Sequence, residues 1–454
     1  MRHIVLIIGI CLSEHLASAE INPPKEKWIN LFNGKDLSGW KQVNGKAKYE
    51  VIDGVIVGTT VKDTPNSFMI TEKMYGDFIL EVTFRIDEGM NSGIQFRSLQ
   101  APGDDGRVMG YQMEVDNNKD RGWSGGIYDE ARRGWLYPVE LNPLAKSAYK
   151  WGDWNTYRIE CIGSSIRTWV NNMPVSYLMD DLTPNGFIAL QVHSIGKADT
   201  EGKKTYWKNI RIQTEDLVAS PINDITLVNL IPNLIAPLEK QQGYRLLWDG
   251  QTTTGWRSAF GTKFPEKGWE IKDGTLSVLS SNGGESINGG DIVTEEKFSS
   301  FELQFDFKFT EGANSGVKYF VDEKYLSKGS AIGLEFQILD NEKHPDAKAG
   351  AAGNRTAGSL YDLIPPFKFN NLATKANVWN RGKIIVYPDN RIEHWLNGVK
   401  VVEYKRGTPL YNVLVARSKY VEYDGFGMAP QGPILLQDHG NLVSFRSIKI
   451  RELK

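Results

Sequence analysis

Residues 110–117, GYQMEVDN, carry an amide and two carboxylates at alternate positions. In a strand, Gln112, Glu114 and Asp116 share one face, and Tyr111, Met113 and Val115 share the other. A second stretch, GLEFQILDN (333–341), repeats the pattern with acid and amide exchanged: Glu335 stands where Gln112 does, and Gln337 where Glu114 does. Such a face suits cleavage of a sugar bond, docking of a polar ligand, or plain hydration. A double-displacement glycosidase needs two carboxyl groups about 5–5.5 Å apart in fixed roles. One acid and one amide in either order do not meet that need.

More polar groups follow each strand. The loop 340–366 offers Asp340, His344, Asp346, Arg355, Tyr361 and Asp362 among Gly and Ala residues. The matching stretch 116–138 offers Asp116, Arg121, Trp123, Tyr128, Asp129, Glu130, Arg132 and Arg133. Aperiodic loops of this length are more often functional than not. His193 and His439 each lie two residues after a glutamine, Gln191 and Gln437. Either they bond a neighbouring strand, or they transfer protons near neutrality. No Walker A, His-Glu-x-x-His or Cys-x-x-Cys motif is present. No cofactor is expected; Asp340, His344 and Asp346 leave a divalent cation open as a minority reading, at a spacing that matches no strong metal pattern.

These residues must be positioned by repeated elements. LFNGKDLSGW (31–40) recurs as LWDGQTTTGW (247–256), and YEVIDGVIVG (49–58) as WEIKDGTLSV (269–278). FILEVTFRIDEGMNSGIQF (78–96) recurs as FELQFDFKFTEGANSGVKY (301–319), and FIALQVHS (187–194) as ILLQDHGN (434–441). The order is kept throughout, which indicates a tandem duplication. Each copy is a series of short alternating runs, rich in β-branched and aromatic residues and separated by Gly, Asn and Asp turns. The fold class expected is all-β, two tandem concanavalin-like jelly-roll β-sandwiches over 26–214 and 243–454. The apolar residues of the connector 215–242 favour packing on one or both domains over a plain linker, and Pro237 is placed to start a short helix.

Composition narrows the partners. With 53 Lys+Arg against 55 Asp+Glu, neither nucleic acid nor an anionic membrane surface is an expected partner. No later segment is long and apolar enough to span a bilayer. Residues 1–19, ending Ala17-Ser18-Ala19 after an apolar run, read as a signal peptide, so the expected location is periplasmic or extracellular. Cleavage would leave Cys161 alone and allow no internal disulfide. The oligomeric state is not legible.

Glu114-Val115-Asp116 resembles the first half of the catalytic strand of laminarinase-type β-glucanases, but Asn117, Asn118 and Lys119 follow where that pattern needs a second Glu. A fuller resemblance spans essentially the whole of 26–454. NSGVKYF, GLEFQILDNEKHPDA, NRTAGSLYDLI, HWLNGV and GPILLQDHGNLVSFRSIKI resemble the 3-keto-disaccharide hydrolase domain, as do NSGIQFR, GYQMEVDN and SGGIYDEARRGWL in the first copy. The resemblance implies a sugar substrate already oxidised at C3. A ketone there acidifies the C2 hydrogen; a base removes it, the group on C1 is expelled, and water adds back. Carried onto the second copy, Glu335 or His439 would be the base, with Lys318 and Arg355 stabilising the oxyanion. Gln337, Asp340, His344, Tyr361 and Asp362 would bind the sugar. In the first copy, Glu114 or His193 would be the base, with Arg97 and Arg132 as cations, and Gln112, Asp116 and Tyr128 in binding roles. Gln95 there replaces Lys318. The rival reading is a non-catalytic carbohydrate-binding protein with two lectin-like domains.

Overall fold

The computed structural model describes residues 27–103, 106–196, 200–327, 330–367 and 374–454. The expected signal peptide lies outside them. The chain divides into two compact units, 1–228 and 229–454.

Each unit is a sandwich of two antiparallel sheets, and the two units share one strand order. In the first unit, one sheet runs Val108–Asp116, Asn91–Gln100, Phe187–Val192, Ser67–Thr71, Trp40–Asn44. In the second, the order is Ser330–Leu339, Asn314–Ser327, Leu435–Leu436, Ile292–Thr294, Trp256–Ser258. The opposite sheets centre on Phe78–Ile86 and Phe301–Phe309, each flanked by the equivalent neighbours. Small bonds repeat as well: Trp40 Nε1 donates to Leu31 O (2.7 Å) and Trp256 Nε1 to Leu247 O (2.9 Å). The first unit extends its site-bearing sheet with Ile127–Glu130 and Gly134–Tyr137. The second has the loop 340–366 there, tied back by bridges Phe336–Leu360 and Leu360–Ile364.

Alternation builds the core. Phe301, Leu303, Phe305, Phe307 and Phe309 face Val317, Tyr319, Phe336, Ile338 and Leu436 across the second sandwich, all buried. This apolar interior supplies most of the driving force for folding. On the outer face of the same strand, Glu302 pairs with Arg451 (2.6 Å) and Asp306 with Arg381 (2.8 Å) from neighbouring strands. His394 is fully buried; its Nδ1 donates to Gly358 O (3.1 Å) and its Nε2 accepts from Tyr319 (2.8 Å).

Each part of the connector packs within its own unit. Ser220 N–H donates to Glu160, while Ser220 O and Pro221 O accept from Arg167 in the first unit. In the second unit, Asn229 O accepts from Arg381 (3.0 Å), and Glu239 pairs with the buried Lys449. Pro237–Gln241 is a short α-helix with proline in its first turn.

Candidate active site

The Asn-Ser-Gly tripeptides organise both polar faces. Asn314–Ser327 pairs with Ser330–Leu339 so that Gly316 lies opposite Gln337 and Lys318 opposite Glu335. Ser315 donates to Gln437 O (2.9 Å), anchoring the third strand. Gly316 matters because the Glu335 side chain lies across it, where a Cβ would overlap the carboxylate. The first unit repeats the arrangement: Ser92 donates to Gln191 O (2.6 Å), and Gln112 lies over Gly93.

The alternation predicted a polar face, but neither face is a wetted one. Gln112, Glu114 and Asp116 are all buried, as are Lys318, Glu335 and Gln337. In the second unit this face floors a cavity of about 330 Å³. Asn314, Lys318, Glu335 and Gln337 come from the sheet; Gln437 directly follows the strand Leu435–Leu436, and Glu285, Tyr361 and His439 come from surrounding loops. Ala331, Ile332 and Gly333 add to the sheet side, and Lys419, Tyr420 and Tyr423 complete the wall.

Glu335 is the electrostatic centre. Burial raises its pKa above the usual carboxylate range, opposed by Lys318, Lys419 and His439. With the Gln337 amide oriented to satisfy its neighbours, its nitrogen donates to Ser315 O (2.9 Å) and Glu335 Oε1 (3.1 Å). Lys318 Nζ donates to Ala331 O (3.1 Å) and stands 3.9 Å from Asp291 Oδ2. Asp291 is fully buried, and burial pushes its carboxyl up to about 6 against the pull of Lys318. His439 Nε2 stands 3.9 Å from Glu285, and its ring meets His344 edge-on at 6.1 Å.

Several predicted second-unit residues are spent elsewhere. Asp340 accepts backbone N–H groups from Gly312 (2.7 Å), Glu342 (3.0 Å) and Lys343 (3.2 Å), so it caps a turn. Arg355 is not a spare cation: it bridges Asp362 (2.7 Å) and Asp346 (2.9 Å). Tyr361 lines the cavity while its hydroxyl donates to Asp346 (2.8 Å). Asp362 also accepts from Lys419 N–H (2.9 Å). Among the described residues no group of three or more His, Cys, Asp or Glu side chains is placed to hold a metal ion.

The first unit fills its polar face with its own amides. Ser98 donates to Gln95 (2.8 Å), Gln95 to Gln112 (2.6 Å) and Gln112 to Glu114 (2.8 Å), while Asn91 donates to the other Glu114 oxygen. Burial lifts Glu114 to about 7 despite those donors. Asp116 is held by Arg121 (2.6 Å), and His193 Nδ1 donates to Ser194 O (2.6 Å). Tyr128 packs edge-on against Trp135. The two predicted cations are corrected. Arg97 sits in a β-bulge at φ +44°, which re-aims it to Gly76 O, Gly163 O and Asp77. Arg132 is locked between Asp129 (2.7 Å) and Thr183 (2.6 Å).

Asn314, Gly316, Glu285, Asp291, Lys419, Tyr420 and Tyr423 were not singled out from the sequence. The repeated Asn-Ser-Gly was the one available signal for the first two; the others lie in segments with no motif.

The sequence profile of the 3-keto-alpha-glucoside-1,2-lyase-like domain matches residues 27–213 and 243–451. A 3-keto-disaccharide hydrolase of Bacteroides thetaiotaomicron is 36% identical over 233 residues, covering 46% of this chain and 79% of that protein. A crystal structure from Parabacteroides distasonis, of a protein provisionally assigned as a glycosyl hydrolase, is 29% identical with a TM-score of 0.43, covering 49% of this chain and all of that one. A Bacillus subtilis carbohydrate-binding module is 16% identical with a TM-score of 0.28, covering 38% of this chain and 95% of that one. The chain therefore belongs to the 3-keto-alpha-glucoside-1,2-lyase-like domain family, as two tandem copies.

Proposed function

We propose that this protein is an exported enzyme that cleaves the glycosidic bond of 3-keto-glycosides, and that its second unit carries the chemistry. The observation supporting this reading is Glu335: a single buried carboxylate with a raised pKa, facing an open-mouthed polar cavity beside two lysines and a histidine. A base of that kind suits removal of the C2 hydrogen near neutral pH. Lys318 supplies positive charge that polarises the C3 carbonyl. His439, at the cavity wall, is the candidate donor to the departing C1 oxygen, and water then adds to C1. The first unit is read as binding sugar without turnover. Glutamines replace Lys318 and Glu335 there, and amide donors occupy both Glu114 oxygens.

The test compares a nitrophenyl 3-keto-glucoside with its unoxidised parent in D2O. Aglycone release from the keto sugar alone, with deuterium appearing at C2 of the product, is the expected result. Release from the parent alone would restore an ordinary glycosidase, and no release from either would leave a binding protein.

A further inference from the structure

We propose that Lys419 is a nucleophilic amine that forms an imine with the C3 ketone of the substrate. The inference rests on the keto-sugar reading above and deepens it.

Lys419 belongs to a wall that only the second unit has. Between Val399–Lys405 and Leu435–Leu436 the chain inserts the α-helix Pro409–Ala416 and the 3-10 turn Lys419–Glu422. The equivalent strands of the first unit, Met173–Met179 and Phe187–Val192, are joined by residues 180–186 alone. The insertion sets Lys419 at the cavity mouth: the residue is exposed overall, and it also lines the cavity. Its backbone is pinned by Asp362, and its Nζ stands 4.4 Å from the Tyr361 ring centre and 5.3 Å from that of Tyr420.

The two cavity lysines are held differently. Lys318 is tied to Ala331 O and faces Asp291, which suits a fixed positive charge. Among the described residues, Lys419 Nζ donates no hydrogen bond and pairs with no carboxylate, so its tip is available to a ligand. Crowding by protein atoms lowers its pKa, opposed by Glu335 and reinforced by Lys318. A second cation beside a partly desolvated lysine is a recognised way to keep the amine nucleophilic. The tyrosine faces favour a cationic nitrogen over them, which includes the iminium that would form.

The step balances without an added reagent. The Lys419 nitrogen lone pair attacks C3, the carbonyl oxygen takes up protons and leaves as water, and a C=N bond remains. Protonated, it withdraws electrons from C2 more strongly than the ketone. Glu335 takes the C2 proton, the electron pair forms the C1=C2 bond, and the C1–O bond breaks as the leaving oxygen is protonated. Water adds to C1, a proton returns to C2, and a second water hydrolyses the imine, restoring ketone and amine.

The experiment is trapping with cyanoborohydride on the full chain, using the nitrophenyl 3-keto-glucoside and then peptide mass mapping. A reduced sugar adduct on Lys419 is expected, absent from Lys419→Arg, whose turnover should fall about a hundredfold or more although its charge is kept. Aglycone release with no adduct on Lys419, an adduct on Lys318 instead, or wild-type turnover by Lys419→Arg would each overturn the proposal. If no aglycone is released, the proposed function fails. An adduct on Lys419 would still establish the imine in that case, and its absence would remove both.

Discussion

The exchange of acid and amide between Gln112/Glu114 and Glu335/Gln337 keeps one feature constant: a glutamine donates to its glutamate neighbour two residues along the same strand. What differs is the cross-strand partner, Gln95 in one unit and Lys318 in the other. A buried glutamate beside a lysine has a charge to work against, while one held by amides is simply solvated by them. Glu335→Gln should therefore lower kcat roughly 10²- to 10⁴-fold with the fold intact. Gly316→Ala should mimic it by a different route. The nearest atoms to the new methyl group are all in the Glu335 side chain, from Cγ to the carboxylate, so the thermal midpoint should move less than activity, which falls as the carboxylate is displaced. Full activity in Gly316→Ala would show that the position of the Glu335 carboxylate is not critical.

At the scale of elements, the site depends on two loops latched to each other. Asp362 on the first accepts from Arg355 and from the backbone of Lys419 on the second. The helix before Lys419 is itself capped by Thr408, whose side chain accepts from Tyr411 N–H. Asp362→Ala should free the Lys419 turn, leaving the sheet residues Lys318 and Glu335 in register. Positioning losses of this kind reach about a hundredfold in kcat/KM, against a stability cost of roughly 1–3 kcal/mol. Steady-state kinetics beside a denaturant titration separates the two. An unfolded variant, or one with unchanged kcat/KM, would count against the latch.

At the scale of the molecule, the duplicated units carry buried groups whose pH dependences have opposite sign. Glu114 in the first unit is raised from 4.5 to about 7, so the folded state holds its proton more tightly. Its contribution is fully present below about pH 4.5 and is lost as the pH rises through 7. His394 in the second unit is lowered from 6.5 to about 4, so its contribution is present above pH 6.5 and is lost as the pH falls toward 4. The difference in unfolding free energy between Glu114→Gln and the parent should shift in favour of the variant between pH 4.5 and 7, by at most roughly 3 kcal/mol. A pH-independent difference would show that Glu114 titrates normally.

The sequence by itself determined the duplication, the sandwich class and the face on which Gln112, Glu114, Glu335 and Gln337 lie. Strand alternation has a period of two and is written locally, so both copies report it independently. The helix begun by Pro237 was legible for the same local reason. Tertiary structure alone decided which polar residues are free to act. Arg97 and Phe320 occupy the same bulge, and strict alternation could not show that the chain turns Arg97 off the face. Asp340, Arg132 and Arg355 have the residue types of a site, but they are consumed by turn N–H groups and by partners that residue type does not reveal. Lys419 was hidden for the converse reason. It lies far along the chain from Glu335 in an insertion without a motif, and only closure of that insertion over the sheet brings its amine to the cavity.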